Sequence, residues 1–190
     1  MLTLVEKYGA NKYSQNGEDG IIAECIKRIN PENKSAVEFG GADGFFCSNT
    51  RALHDIGWNV YMYDLKPTSL SVIQQEITPE NVNELPECSV LSIDIDGNDY
   101  AVWKAYEGKP DIVIIEINSS LPPMGEHFSL EKGSSYKTMV QLGRDKGYFL
   151  LCHTGNLVFV NLEHENLFPE LENVLDPLSN VDDFFNKSWL

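Results

Sequence analysis

Val37-Glu38-Phe39-Gly40-Gly41-Ala42-Asp43-Gly44 is typical of a buried β-strand that ends in an acidic residue and enters a glycine-rich turn. A helical pattern follows the turn, and a second strand pattern, Val60-Tyr61-Met62-Tyr63, ends in Asp64. Small residues in the turn let a ligand approach the backbone, because a larger side chain would block it. Asp64 follows by about twenty residues, the spacing at which a carboxylate on an adjacent parallel strand meets ribose hydroxyls. The pattern predicts a βαβ unit that binds a nucleoside-containing cofactor.

The glycine spacing distinguishes between such cofactors. A dinucleotide requires G-x-G-x-x-G, and starting from the second glycine the third would have to be Phe46. Residues 38–44 fit acid-x-G-x-small-x-G instead, the first motif of class I S-adenosylmethionine (SAM) methyltransferases, in which the acid faces an amine-bearing cofactor. A plain strand-to-helix turn without a ligand is the alternative. We expect the SAM-binding residues to include Glu38, Gly40, Gly41, Asp43, Gly44 and Asp64.

Length and composition predict one domain over residues 1–190. Its parts are an N-terminal cap and helix (1–30), a cofactor-binding core (31–160) and an acidic C-terminal segment (161–190) that packs a few apolar anchors or forms an oligomer contact. The N-terminus lacks a secretion pattern and no apolar run could span a bilayer. The four cysteines form no C-x-x-C pair. We therefore expect a cytoplasmic protein with reduced thiols.

The formal net charge of -15 constrains the partners of this protein. Nucleic-acid-binding proteins usually carry a basic patch, and this sequence has no cluster of Lys or Arg. Anionic membranes are disfavoured for the same electrostatic reason. Methylation of DNA or RNA is therefore disfavoured.

Strand and helix patterns alternate along the chain. The predicted helices cover residues 18–29, 48–56, 68–76, 100–106 and 135–146. The predicted strands cover residues 36–39, 59–63, 90–95 and 112–117, followed by a hairpin of 148–153 and 157–160. Residues 77–89 are ambiguous and have a possible short strand near Val82. This alternation predicts an α/β, Rossmann-like fold with a mostly parallel sheet, a terminal antiparallel hairpin and helices on both faces.

A second acidic motif, Leu91-Ser92-Ile93-Asp94-Ile95-Asp96-Gly97-Asn98-Asp99-Tyr100, ends another strand. Strand alternation places Asp94 and Asp96 on one face, and Glu116 and Asn118 share a face at the end of the next strand. The carboxyl ends of parallel strands form the ligand crevice of such sheets. We expect Glu38 and these residues to meet there, although Asp96 and Asp99 are also candidates for capping the following helix.

Four stretches together resemble the FkbM-type methyltransferases, and most closely a small bacterial and phage branch of that group. They are Tyr13-Ser14-Gln15-Asn16-Gly17-Glu18-Asp19-Gly20, Val37-Glu38-Phe39-Gly40, residues 91–100 quoted above, and Ile115-Glu116-Ile117-Asn118. The resemblance covers roughly residues 13–160. It implies a class I methyltransferase fold and SAM-dependent O-methylation, often of sugars or natural products. The chain departs from the family in its short stretch between Asp64 and Asp94 and in Ala42, which replaces a glycine.

Related O-methyltransferases hold Mg²⁺ with an Asp after the fourth strand and two residues after the fifth. Asp96, Glu116 and Asn118 are similar in order and chemistry, but Ile117 separates two ligands that are adjacent in those enzymes. Without a metal, a general base must accept the acceptor's proton. The candidates for catalysis are Asp96 first, then His127 in the loop 119–133 that would cover the crevice, and Asp94, which is also a candidate for binding the cofactor.

The N-terminal motif has two open interpretations. Ser14 and Gln15 either contact the methionine part of SAM or belong to a capping box at the first helix. Two functions also stay open: an O-methyltransferase, and an inactive SAM-binding fold that acts as an interaction or regulatory module. An NAD-dependent enzyme is disfavoured by the glycine spacing.

Overall fold

The computed structural model describes residues 3–169, 176–179 and 181. Its strands are β1 (Ser35–Phe39), β2 (Asn59–Asp64), β3 (Ile73–Gln74), β4 (Val90–Ile93), β5 (Ile112–Glu116), β6 (Phe128–Ser129), β7 (Gly133–Ser134), β8 (Tyr148–His153) and β9 (Asn156–Asn161). Seven of them form one sheet in the order β3-β2-β1-β4-β5-β9-β8, and β6 pairs with β7 in a separate hairpin.

In the described part of the chain the α-helices are α1 (Leu4–Tyr8), α2 (Glu18–Ile29), α3 (Arg51–Asp55), α4 (Asp99–Ala105) and α5 (Tyr136–Asp145). The boundaries predicted for α2 are confirmed, because its apolar residues recur at helical spacing and its first turn is acidic. Within the described part of the chain, no helix has both the length and the apolar character needed to cross a membrane.

The sheet is mostly parallel, as predicted. Strands β1 to β5 pair in parallel with their neighbours, whereas β9 runs antiparallel to both β5 and β8. The β8–β9 hairpin therefore closes one edge of the sheet in the position predicted for a terminal antiparallel hairpin. This is an α/β, Rossmann-like architecture.

Apolar layers cover both faces of the sheet. Val113 and Ile115 of β5 pack in the buried cluster that includes α4 and α5, and Ile112 and Ile114 pack in the cluster that includes α2 and α3. A strand that is apolar on both faces is expected at the centre of a parallel sheet covered by helices. The arrangement leaves the carboxyl ends of the strands as the place where polar side chains collect.

The helix predicted over 68–76 is wrong. These residues form turns followed by β3, which adds to the edge of the sheet beside β2. The Ser69 and Ser71 hydroxyls bond to each other at 2.8 Å, and the Ser71 amide donates to Ser69 Oγ at 3.2 Å. Such local side-chain bonds compete with helical ones. Val72 is buried while Leu70 is fully exposed, so the segment has no continuous apolar face.

Two smaller predictions also need correction. The residues near Val82 form a 3-10 helix, Val82–Glu84, and no strand. The helix predicted over 48–56 begins only at Arg51. Within the predicted C-terminal segment, Leu162–Leu167 is a 3-10 helix, and most of the segment after residue 169 lies outside the described residues.

The glycine turn after β1 packs directly against the end of β4. Gly40 has a φ of +77°, and a Cβ built on it would lie 1.7 Å from the carbonyl oxygen of Asp94. Gly57 has a similar φ of +88°, but among the described residues nothing beyond its chain neighbours lies within 4 Å of its Cβ position. Both glycines therefore have a left-handed backbone, but only Gly40 has a neighbouring atom at its Cβ position.

We expect Gly40→Ala to destabilise the protein far more than Gly57→Ala. The Gly57 variant is destabilised only by the left-handed backbone, which costs about 1–2 kcal/mol of folding free energy. The Gly40 variant adds an overpacked contact and should lose ~3 kcal/mol or more. Urea unfolding of both variants measures the difference, and equal losses would contradict the close contact with Asp94.

Candidate functional site

A cavity of about 540 Å³ opens at the carboxyl ends of β4 and β5. The N-terminal segment before α2, the turn after β4 and the β6–β7 hairpin surround it. Its lining includes Gln15, Asn16, Glu18, Cys47, Asn49, Asp94, Asp96, Asp99, Glu116, Asn118, Glu131, Lys132 and Asn156. The volume is that of a typical small-molecule site, and its position is the ligand crevice expected of an open α/β sheet.

Three carboxylates form a cluster on one wall of the cavity. Asp94, Asp96 and Glu116 each offer an oxygen, and these oxygens all lie within 4.8 Å of one another. Asp94 and Asp96 are exposed to the cavity and Glu116 is partly buried. We call these three residues the carboxylate cluster. Oxygen ligands at this separation suit a hard divalent cation such as Mg²⁺.

The charges in the cluster perturb one another. Partial burial, followed by the negative charges of Asp99 and Asp96, raises the pKa of Asp94 to about 6. Burial and the charge of Asp94 raise the pKa of Glu116 to about 8. Because Glu116 has the higher pKa of the two, the pair favours a proton on Glu116 and a charge on Asp94. At neutral pH this pair therefore holds a proton that a cation would displace.

Two of the metal ligands predicted from the sequence, Asp96 and Glu116, lie in the cluster with Asp94, and the third, Asn118, lines the same cavity. The Asn118 amide nitrogen donates to the carbonyl of Lys132 at 2.8 Å, and its oxygen accepts the Ser120 amide at 2.9 Å. Asn118 lines the cavity and ties down the loop that covers it.

Asp99 shapes the turn that carries the cluster. Its carboxylate accepts the backbone amides of Ile95 at 2.9 Å and Gly97 at 3.0 Å, and burial raises its pKa. Helix α4 has Asn98 as its N-cap residue, without a side-chain capping bond. Asp99 therefore closes the β4–α4 turn from within the first turn of the helix, a variant of the predicted capping role. Asp96 lies in this turn with a φ of +55°.

Glu38 does not line the cavity, contrary to the expectation that it would join the acids there. Its buried carboxylate accepts hydrogen bonds from Ser48 Oγ and Thr50 Oγ1, each at 2.6 Å, and from the Asn49 amide at 2.7 Å. Burial raises its pKa despite these donors. Glu38 anchors the loop before α3, and the same bonds explain why α3 begins later than predicted.

The glycine turn has an inner and an outer side. Gly41 and Gly44 are buried, with the Met62 side chain 3.2 Å from the Cβ position of each. Gly40 and Ala42 are exposed, so a ligand can still approach the backbone there. Protein packing therefore accounts for the small residues on the inner side of the turn. The turn lies outside the cavity lining and meets the site through the contact between Gly40 and Asp94.

Asp64 and Asp43 both accept hydrogen bonds from nearby backbone. Asp64 accepts the amides of Ala42 at 2.9 Å and Lys66 at 2.7 Å, which fixes its carboxylate beside the exposed side of the turn. Asp43 accepts the amides of Phe45 and Phe46, each at 2.8 Å, and these bonds lower its pKa. Both acids hold the turn in shape.

The N-terminal motif divides between structure and cavity. Ser14 and Asp19 bond reciprocally: the Ser14 amide donates to Asp19 Oδ2 at 2.9 Å, and the Asp19 amide donates to Ser14 Oγ at 3.0 Å. Ser14 therefore has a role like the predicted capping box, five residues apart instead of three. Gln15 lines the cavity, where the sequence placed it as a contact for SAM.

His127 is not brought to the cavity lining. Its backbone amide donates to Thr138 Oγ1 at 3.1 Å and to Ser135 Oγ at 3.3 Å, and its ring Nε2 lies 3.4 Å from Ser129 Oγ. These contacts attach the covering loop to the start of α5. Asp94 and Asp96 remain as the predicted catalytic residues that face the cavity.

Sequence reasoning missed several cavity residues, among them Glu18, Asn49 and Lys132. Glu18 is buried and accepts hydrogen bonds from Thr154 Oγ1 and the Asn16 amide, each at 2.8 Å. Asn49 and Lys132 come from loops without a distinctive pattern. Only the acidic start of α2, inside a quoted motif, carried a signal that could have identified Glu18.

No family model matches the chain, and no curated protein matches it. The resemblance to the FkbM-type methyltransferases therefore depends on the quoted motifs, and it stays a prediction.

We expect Glu116→Gln to raise the melting temperature at pH 8.5 by roughly 4 °C or more. The folded state binds the Glu116 proton more tightly than the unfolded state does, so this stability is lost as pH rises from the ordinary pKa of 4.5 to the folded pKa of about 8. The gain should shrink at pH 5.5. Thermal unfolding at both pH values measures it.

Glu84→Gln is the control, because Glu84 is an exposed acid outside the cavity lining. Equal effects of the two substitutions, or a Glu116→Gln effect that is independent of pH, would contradict the repulsion within the cluster.

Proposed function

We propose that this protein is a SAM-dependent O-methyltransferase that acts on a hydroxyl of a small molecule or glycan, assisted by a divalent cation at the carboxylate cluster. The observation that carries the proposal is the placement of this cluster at the carboxyl end of β4, in contact with the glycine turn. Ligands in open α/β sheets bind at this end. A parallel sheet closed by one antiparallel hairpin agrees with the class I methyltransferase fold that the motifs imply.

The charge of the cavity supports a cationic cofactor. Its lining carries six carboxylates and one ammonium: Glu18, Asp94, Asp96, Asp99, Glu116, Glu131 and Lys132. SAM has a sulfonium and an ammonium group, and both are favoured by such a field. A nicotinamide dinucleotide brings two phosphates, which the same field repels. Asp64, beside the exposed Ala42, is the residue we assign to the ribose hydroxyls.

The cluster fits a hard cation by its donor chemistry, since three carboxylate oxygens converge. Such an ion would lower the pKa of an acceptor hydroxyl. Asp94, ionised above its pKa of about 6, accepts the hydroxyl proton. The hydroxyl oxygen then forms a bond to the methyl carbon as the carbon–sulfur bond breaks, and neutral S-adenosylhomocysteine leaves.

Binding of S-adenosylhomocysteine tests the cofactor assignment. We expect calorimetry to show that the wild type binds S-adenosylhomocysteine with micromolar affinity and does not bind NADH. Asp64→Ala should lower the affinity for S-adenosylhomocysteine about tenfold, which corresponds to about 1.4 kcal/mol of binding free energy. Glu76→Ala, an exposed acid after β3, should bind normally. Absence of S-adenosylhomocysteine binding would rule out the methyltransferase.

Transfer of a labelled methyl group from SAM to extract components distinguishes an enzyme from an inactive SAM-binding module. Turnover that is lost in Asp94→Asn supports the enzyme. Cofactor affinity without transfer to any acceptor supports the binding module.

Mg²⁺ should raise the melting temperature, and by more at pH 8 than at pH 6, because protons compete for Asp94 and Glu116. We expect a shift of roughly 3 °C in millimolar Mg²⁺ at pH 8. Asp96→Asn should abolish most of this shift, whereas Glu84→Gln should keep it. A shift that survives in Asp96→Asn would place the cation elsewhere.

A further inference from the structure

The cavity contains one cation among many acids. Of the described residues that line it, Lys132 is the single basic side chain, opposed by the six carboxylates named above. Lys132 comes from the β6–β7 hairpin, whereas the carboxylate cluster comes from the ends of β4 and β5. The carboxylate cluster and the cation therefore belong to different parts of the cavity wall, and Glu131 is the one cavity acid beside Lys132 in the hairpin.

The backbone of Lys132 is fixed on both sides. Its amide donates to Ser129 Oγ at 3.1 Å, and its carbonyl accepts the Asn118 side-chain amide at 2.8 Å. The hairpin tip also packs against the β4–α4 turn, because a Cβ on Gly97 would lie 2.4 Å from the carbonyl oxygen of Leu130. The attachment point of the lysine is thus set relative to the carboxylate cluster by direct contacts.

The ammonium group of Lys132 forms no ion pair with a described residue, although six carboxylates share its cavity. Elsewhere, lysines do pair with acids, as Lys137 does with Glu126 at 2.7 Å. The group is therefore available to an incoming ligand. A cation that is available in a cavity is the partner that a carboxylate or phosphate requires.

We infer that the methyl acceptor carries an anionic group, a carboxylate or a phosphate, which binds Lys132 while its hydroxyl reaches the carboxylate cluster. This inference rests on the proposed methyltransferase function and names the class of acceptor. Among the described side chains that line the cavity, Lys132 is the one whose charge attracts an anion. Lys132 then orients the acceptor, because binding at two points fixes which hydroxyl faces the methyl group.

Matched pairs of diols test this inference. The probes are protocatechuate with catechol, glucuronate with glucose, and glucose 6-phosphate with glucose, titrated into the full chain with S-adenosylhomocysteine and Mg²⁺. We expect at least one anionic member to bind tenfold or more tightly than its neutral partner. Lys132→Ala should remove this preference and Lys132→Arg should keep it.

Lys34→Ala serves as the matched control, since Lys34 is exposed and outside the cavity lining, and it should keep the preference. Equal binding of anionic and neutral members to the wild type, or a preference that survives in Lys132→Ala, would overturn the inference. Both results leave S-adenosylhomocysteine binding intact. Loss of that binding in the wild type overturns the proposed function itself, so the two failures are distinguishable.

Discussion

The contact between Gly40 and the carbonyl of Asp94 is the constraint on which the site depends. It brings the turn after β1 against the end of β4, and only a residue without a side chain permits an approach of this kind. The contact therefore joins the glycine motif and the acidic motif, which lie more than fifty residues apart in the sequence. Asp94 contacts both features: its backbone carbonyl lies against the glycine turn, and its carboxyl group belongs to the carboxylate cluster.

The parallel sheet also concentrates like charges, because adjacent strands end at the same edge. Asp94 and Glu116 extend from neighbouring strands, and Asp99 closes the turn behind them. Their repulsion raises pKa values and disfavours the empty, fully ionised state. A proton or a cation relieves it. Glu38 shows the contrasting solution, since three donors from the loop before α3 satisfy its buried carboxylate.

Much of the cavity wall follows from pattern alone. Asp96 and Glu116 could be placed together from the sequence for two reasons. The end of an apolar run marks the end of a strand, and few topologies are open to a parallel sheet. The use of individual polar groups could not be read in this way. Asn118 and His127 have the chemistry of site residues, but their hydrogen bonds go to the covering loop and to α5. The same is true of residues 68–76, for which the sequence predicts a helix and the structure has turns with local hydrogen bonds between serines.

The sequence by itself determined the alternation of strands and helices, the terminal antiparallel hairpin and the acids at the strand ends. These features depend on local periodicity and on short-range chain connectivity. Only the tertiary structure decided that Asp94 joins Asp96 and Glu116 in the carboxylate cluster, that donors of the loop before α3 hold Glu38 and that Lys132 lines the cavity. Those outcomes depend on which donors and walls surround each side chain, and the surroundings come from segments distant in sequence.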